Sequence, residues 1–528
     1  MRACSWRFEL HPRVVVPCLL LAAAARPAAA QTARRQHFAL EYTVSFPELA
    51  THFASVSARV PSGGRDSVEL MMAVWSPGYY KVENYAEQVR DVAARTESGA
   101  PLDVVHDAPN RWRVATHGAP TVIVTYRVLA DRRFVTADWA GDSLIVLNGA
   151  PTFMTLAGNA HLPALVRLAL PAGWRSATSL DTVRDDHADT YRAHDYDELV
   201  DSPIVAAGNL RIHDFTVGGS RHAVVDAGDV DGWNSDRAVR DIEHFVNEDR
   251  RFWGRLPYAR YVFLNVFRPG GGGLEHKNST LLTSSATRSS SDRAYLGWLT
   301  FVSHEYFHAM NVKRLRPVEL GPFDYEGAPK TPSLWISEGL TTYYGDLMVA
   351  RAGLAGDSAF LDWMSALIGQ LQTTPGRLVQ TLSQSSLDAW NSENSGVGMD
   401  QSRTVSYYTK GTVVGFLLDA HIRRLTRGRR SLDDVMRRAY ARYSGARGFT
   451  PDQFLRVASS VAGADVTAWF HRALDTTTEL DYSEALAWYG LRFAGDTADG
   501  NAKQAWRLER RPDATAAQRA HLAALLAR

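Results

Sequence analysis

Cysteine is almost missing from this chain. There are two, Cys4 and Cys18, and none after them. Disulfides therefore cannot stabilise the bulk of the protein, and any metal held there must be bound by nitrogen and oxygen donors. An excess of either charge is missing as well, since 58 Lys and Arg face 57 Asp and Glu for a formal net charge of +1. With no basic surplus to displace phosphate counterions, an electrostatic nucleic-acid binder is disfavoured. Beyond the N-terminal segment no apolar run approaches the roughly 20 residues that span a bilayer. Hydrophobic content of 45% and charged content of 22% are ordinary for a globular protein. A length of 528 residues exceeds what one core supports and predicts about two to four domains.

The N-terminus reads as a secretory signal. Arg2, Arg7 and Arg13 precede a short apolar run, Val14 to Ala25, and Ala28-Ala29-Ala30 before Gln31 forms an A-x-A-like cleavage site. Both cysteines fall inside this segment, and Cys18 lies within the apolar run, not at a cleavage point, so it is not read as a lipidation site. The expected mature chain is free of cysteine, carries no membrane span, and is periplasmic or secreted.

From about His37 to Leu210 the pattern is strand-like. Phe38 to Phe46, Ser67 to Trp75, Thr121 to Val128 and Leu165 to Leu170 alternate or run apolar between Pro, Gly and Asp punctuation, which suggests a sandwich. Trp75, Tyr79 and Tyr80, around Ser76-Pro77-Gly78, read as packing residues. After Arg211 the pattern changes. Asp236 to Phe252 has helical amphipathicity, Tyr261 to Phe267 and Ser279 to Ser284 read as strands, and Gly271 to Gly273 interrupt them. Helical periodicity then dominates over Leu334 to Ala350, Ala359 to Leu371, Gly411 to Leu425, Leu432 to Tyr443 and Pro451 to Leu474, with a Ser/Asn/Gly-rich loop over Ser383 to Ser406.

The densest chemistry lies in His304-Glu305-Tyr306-Phe307-His308, within an unbroken helix-compatible run from Leu299 to Val312. On a helix, positions four apart share a face one turn apart, so both imidazoles can reach one metal ion. Glu305, about 100° round the helix, is placed to take a proton from a water on that metal. A catalytic zinc of this kind takes a third protein ligand and keeps one open position. Glu338, in Leu334-Trp335-Ile336-Ser337-Glu338-Gly339, is the candidate, since the proline-rich loop before it lets two helices pack together. Asp346 reads equally as a partner for a ligand histidine or as a solvent-facing acid. Tyr407 and Tyr408, placed before a helix, offer a hydroxyl but also suit core packing.

Four motifs in order carry a family resemblance: Gly272 to Ser279 (GGLEHKNS), His304 to Pro317 (HEYFHAMNVKRLRP), Trp335 to Thr341 (WISEGLT) and Tyr407 to Gly411 (YYTKG). Together they resemble the glycyl aminopeptidase family of bacterial zinc metallopeptidases, itself similar to the aminopeptidase N group in its gluzincin site. The resemblance implies that His304, His308 and Glu338 bind Zn2+, that Glu305 is the general base and that Tyr408 stabilises the oxyanion. It places Glu275 where relatives hold the substrate's α-amino group. A carboxylate near the metal suits that task, because it pairs the ammonium and counts from the peptide's end. Gly273 beside it lets an extended peptide approach the backbone closely. Two departures stand out. Met310 occupies a place where the family usually has tryptophan, and the stretch after Tyr482 is too short for the PDZ domain that many members carry.

The expected architecture is multidomain α+β. It comprises a signal peptide (1–30), an N-terminal β-sandwich-like domain (31–210), a thermolysin-like zinc peptidase domain (211–350), a helical domain completing the active site (351–480) and a tail (481–528). The expected activity is zinc-dependent release of small, Gly- or Ala-type N-terminal residues from peptides. A zinc endopeptidase with the same site and a non-catalytic peptide-binding protein are the rival readings. Peptides are the expected partners, nucleic acid is not, and the sequence is silent on oligomeric state.

Overall fold

Side chains in Phe53–Pro61 and Thr121–Leu129 alternate between buried and half-buried along their length, Arg127 alone being exposed. That period of two makes each the face of a sheet with one side against a core. The two strands pair antiparallel in the middle of an eight-stranded sheet, which Leu40–Ser45 joins through a parallel contact with Ala164–Ala169. A four-stranded sheet containing Ser67–Met71 and Arg111–Ala115 shares the same apolar core, and a second four-stranded sheet contains Ile145–Leu147 and Ile204–Ala207. The computed structural model describes residues 40–184, 187–391, 400–495 and 505–527. The expected signal segment and residues 392–399 of the Ser/Asn/Gly-rich loop lie outside them.

A five-stranded sheet follows. Ser220–Gly228, Arg260–Phe267 and Ser279–Ser284 run parallel, Arg211–Val217 flanks one side, and Gly272–Glu275 forms the opposite edge, antiparallel to Ser279–Ser284. The amphipathic helix Ser235–Trp253 and the motif helix Asp292–Phe307 contribute to the large core beneath it. Gly270 to Gly273 is thus not simply a loop, because its second half is an edge strand whose outer side is free of any other strand.

The remaining elements are helical, giving a mixed α+β fold with a β-rich N-terminal part and a helical C-terminal region. Three expectations need correction. The motif helix ends at Phe307, with His308 as its cap, and Val312 has φ of 112°, so the run to Val312 is a compact turn. Tyr407 and Tyr408 form the first turn of the Tyr407–Leu425 helix and do not precede it. The stretch from Pro451 breaks into Pro451–Ala462 and Thr467–Asp475 at Gly463, whose φ of 65° a continuous helix does not accommodate.

The Tyr407–Leu425 helix is buried on nearly every side, so polar groups within it need internal partners. Asp419 meets that demand. It accepts from Tyr343 (3.3 Å), Tyr489 (3.2 Å), Arg423 (2.8 Å) and the Leu432 amide (2.8 Å). One carboxylate thereby joins the Leu340–Arg351 helix, its own helix, the start of Leu432–Tyr443 and the Ser483–Tyr489 helix. The Ala516–Leu526 helix adds Leu522, Leu525 and Leu526 to this core, and the Leu525 carbonyl accepts from Arg351 at 3.1 Å.

The β-rich part is stitched to the rest by specific contacts. Trp75 donates to the Asp324 carbonyl (2.7 Å), and Val74 to that of Tyr325 (2.9 Å). Arg111 grips Glu326 through two bonds of 2.7 Å. Tyr325 belongs to the N-terminal core, and Tyr80 to the core beneath the motif helix. Asp419→Ala strands the buried Arg423 guanidinium without its carboxylate and is expected to cost about 3–5 kcal/mol. Equilibrium denaturation checks this, and a loss below about 1 kcal/mol would show that Asp419 is not the hub its contacts describe.

Candidate metal centre

Ser291 caps the motif helix by accepting from the Ala294 amide, and the helix carries His304 to its last turn. His308 follows as the cap. The turn beyond it then folds back, with the Lys313 amide donating to the His308 carbonyl (3.1 Å) and Leu315 to Met310 (2.8 Å). Arg314 fixes this turn by donating to the carbonyls of Ala309 (2.7 Å) and Lys277 (2.6 Å) and to the Asn278 side chain (2.8 Å). It therefore ties the end of the motif helix to the segment just after Glu275. Asp201, from the β-rich part, pins the same segment by accepting from the Lys277 amide (2.6 Å) and from the Lys313 ammonium (2.6 Å). Against burial, Lys313 and His276 hold the Asp201 carboxyl below the usual range.

Opposite, the chain enters a wide π-helical turn, Trp335–Gly339, before the regular helix Leu340–Arg351. Such turns often present a functional side chain, and this one carries Glu338. Gly339 and Gly411 let this turn and the Tyr407–Leu425 helix touch backbone to backbone. A Cβ added at Gly339 would lie 2.6 Å from the Gly411 backbone.

The hydrogen bonds determine the histidine tautomers. His308 Nδ1 lies 3.0 Å from the Asn311 carbonyl, which only accepts, so the ring proton is on Nδ1. His304 Nδ1 lies 3.2 Å from the Thr342 hydroxyl. That hydroxyl already donates to the Glu338 carbonyl at 3.0 Å, so it accepts from His304. The Nε2 atoms are the ring nitrogens turned to the centre, 3.0 Å apart, and Glu338 Oε2 lies 3.2 and 3.9 Å from them. Tetrahedral coordination at Zn–N distances of 2.0–2.1 Å spaces donors about 3.3 Å apart. Two imidazole nitrogens and a carboxylate at this spacing fit a divalent cation. The second oxygen of Glu338 accepts from the Tyr80 hydroxyl at 3.2 Å.

Two more carboxylates converge here. Glu275, Glu305 and His308 offer donor atoms within 4.8 Å of one another, as do His304, His308 and Glu338. Burial pushes the Glu305 carboxyl well up, with His308 opposing and Glu275 and Glu338 adding to the rise. Burial likewise raises Glu275, to about 7. Burial lowers both imidazoles, but the surrounding carboxylates reverse this for His308 and bring it to about 10, while His304 stays well below its ordinary value. Three acids and two imidazoles in one enclosed place amount to a strong demand for positive charge.

The cleft has a volume of about 290 Å³ and takes walls from segments far apart in the chain. Gly78, Tyr79, Tyr80, Phe134 and Val135 come from the β-rich part, Gly271 to Glu275 from the edge strand, and Tyr407 and Tyr408 from the buried helix. Tyr408 lies 6.3 Å from His304, ring to ring. Gly273 leaves the space that Glu305 fills, since an added Cβ would stand 2.2 Å from its carboxylate, and Gly78 does the same for Glu275 at 2.5 Å. All the residues singled out in the sequence, Gly273, Glu275, His304, Glu305, His308, Glu338 and Tyr408, line this one cleft.

Sequence reasoning missed three residues. Tyr80 reads as packing, yet it bonds Glu338. Asn311, three positions after His308, supplies the carbonyl that sets the tautomer, and its side chain donates to Ile336 (2.8 Å) and Thr341 (2.9 Å). Thr342 performs the task weighed for Asp346. Its place four residues after Glu338, on the same helical face, is the signal that could have found it. Asp346 bonds neither histidine among the described residues, and burial raises its carboxyl to about 7. Thr342→Val, which removes the acceptor for His304 Nδ1–H, is expected to weaken divalent-metal affinity about 10–100-fold. Competition against a chelator of known affinity measures it, and unchanged affinity would mean the hydroxyl does not set the ring.

Residues 41–208 match the Peptidase M61 N-terminal domain, and residues 297–414 match M61 glycyl aminopeptidase. No curated protein matches the chain. Among solved structures, an aminopeptidase N family protein from Idiomarina loihiensis superposes with a TM-score of 0.81 at 25% identity, covering 86% of this chain and 78% of that one. An M1 zinc metallopeptidase from Deinococcus radiodurans superposes at 0.52 with 14% identity over 84% and 94%, a likeness of fold alone. A variant of that enzyme is known bound to a Tyr-Ser-Ala substrate. With two M61 domains matched in order across more than half its length, and a donor set fit for a metal inside the second, this chain is a metallopeptidase of the M61 glycyl aminopeptidase family.

Proposed function

We propose that the protein is a zinc-dependent aminopeptidase that removes small N-terminal residues, of the Gly or Ala type, from peptides. The observation that carries this reading is Glu275. Its carboxylate is buried beside Glu305 and His308, one of its oxygens has no hydrogen-bond partner among the described residues, and it ends an edge strand that opens on the cleft. A buried carboxylate with an unpaired oxygen suits a substrate ammonium.

His304, His308 and Glu338 would hold the ion, with Thr342 and Asn311 fixing the two rings and Tyr80 steadying the carboxylate. When bound, zinc supplies a Lewis acid to the scissile carbonyl and lowers the pKa of water to about 7. The protein residues do the rest. Glu275 pairs the α-ammonium and so registers the first peptide bond over Glu305. Glu305 takes the proton of the attacking water and later delivers it to the leaving amine. The Tyr408 hydroxyl donates to the oxygen on which charge develops, a contribution worth about 10²–10³ in rate. Gly273, lacking a side chain, lets the peptide backbone lie along the edge strand. Tyr79 and Phe134, packed edge to face at 5.2 Å, narrow the cleft wall and support a preference for small side chains.

The Arg-flanked apolar segment ahead of Ala28-Ala29-Ala30 supports work outside the cytoplasm. No helix among the described residues is long and apolar enough to cross a membrane.

Glycyl and alanyl peptides are expected to be cleaved at least about tenfold faster than their N-acetylated forms, with all hydrolysis lost on chelation and restored by zinc. Equal cleavage of the blocked forms would favour an endopeptidase. Glu305→Gln is expected to bind zinc at about one per chain and to lose hydrolysis by about 10²-fold or more. A wild-type chain that binds no metal and hydrolyses nothing would instead make this a peptide-binding protein of the same fold.

A further inference from the structure

Beside the cleft lies a second cavity of about 510 Å³. The two share their dividing walls. Arg133 faces the cavity while Phe134 and Val135 face the cleft, and Arg268 and Pro269 face the cavity while Gly271 to Gly273 face the cleft. Arg268 is the unusual member. It stands at the end of the central strand Arg260–Phe267 and is only 7% exposed. Its Nε and both terminal nitrogens are enclosed without a hydrogen-bond partner among the described residues. No ion pair reaches it among the described residues. Another cation, Arg133, lines the same cavity and acts on it, its guanidinium 4.1 Å over the Trp139 ring. Burial first, and then Arg133, pull the Arg268 guanidinium down to about 10.

An unpaired buried guanidinium with a second arginine beside it is expensive unless an anion completes it. The planar fork matches an oxyanion with two oxygens. Asp142 and Asp229 also line the cavity, which favours a singly charged carboxylate over a doubly charged phosphate. We propose that Arg268 and Arg133 form a carboxylate site that receives the free C-terminus of a short peptide whose amine lies at Glu275. This rests on the aminopeptidase reading and deepens it: the substrates are short peptides held at both ends, and long chains are disfavoured. Because the cavity begins one residue from the cleft lining on the Arg133 segment and two residues from it on the Pro269 segment, only a few peptide residues are needed to bridge the two.

The test is binding to the zinc-loaded Glu305→Gln protein, measured by calorimetry with triglycine against triglycinamide. The acid is expected to bind at least about tenfold more tightly, and the difference is expected to vanish in an Arg268→Met background. Arg268→Lys, which keeps the charge and loses the fork, is expected to retain part of the preference. Equal binding of acid and amide by the protein with Arg268 intact overturns the proposal, and needs no further variant to fold. Inorganic phosphate is the third probe. If it binds only when Arg268 is present while acid and amide remain indistinguishable, the site takes a free anion and the peptide-terminus proposal fails. Hydrolysis of glycyl p-nitroanilide, which has no carboxylate, separates the two readings. Turnover with equal peptide binding removes this site and leaves the aminopeptidase standing. No turnover with preferential acid binding does the reverse.

Discussion

Five ionisable side chains, Glu275, His304, Glu305, His308 and Glu338, meet in one cleft, and holding them together is the constraint around which the structure is arranged. Like charges at this separation inside a protein repel by several kcal/mol. Every surrounding element works to hold them together: Asn311 and Thr342 fix the ring protons away from the centre, Tyr80 takes one carboxylate oxygen, and Arg314 locks the turn that ends the motif helix. Glycines at 78 and 273 remove the side chains that would keep the acids apart. A cation completes the arrangement, which is why the donor geometry and the electrostatics point the same way.

The β-rich part is more than a support for the peptidase fold. Through the Trp75–Tyr80 segment it supplies one wall of the cleft and one hydrogen bond to Glu338, and through Asp201 it pins Lys277, two residues after the amine-anchoring candidate. Tyr325 and Glu326, from the loop after the motif helix, reach back into it. These reciprocal insertions make the joint a shared core and limit sliding between the two parts.

Much of this was legible in the sequence, and the reason is periodicity. His304 and His308 announce themselves by a spacing of four, Glu338 by its place beyond a proline-rich loop, and the Tyr261 to Phe267 strand by a continuous apolar run. What escaped depends on the tertiary path. Tyr80 precedes Glu338 by more than two hundred residues and sits among aromatics that do pack, so nothing local distinguishes its hydroxyl. The end of the motif helix at Phe307 carries neither Gly nor Pro, because tertiary bonds from Arg314 and Lys313 stop it, not a local breaker. The break at Gly463, by contrast, was visible as a glycine and was overridden by the helical pattern around it. Arg268 could not be recognised at all, since a buried unpaired guanidinium is a property of surroundings and not of sequence.

The cleft walls run from Gly78 to Tyr408, and the helix that bears Tyr408 is held by Asp419 to Tyr489 and Leu432. A chain emerging from the ribosome therefore has its metal-binding helix before it has every residue that closes the cleft. The helix that bears Tyr408 gains its anchors through Asp419 only when Tyr489 and Leu432 are in place. Order of synthesis and closure of the cleft are thus separated by the fold itself.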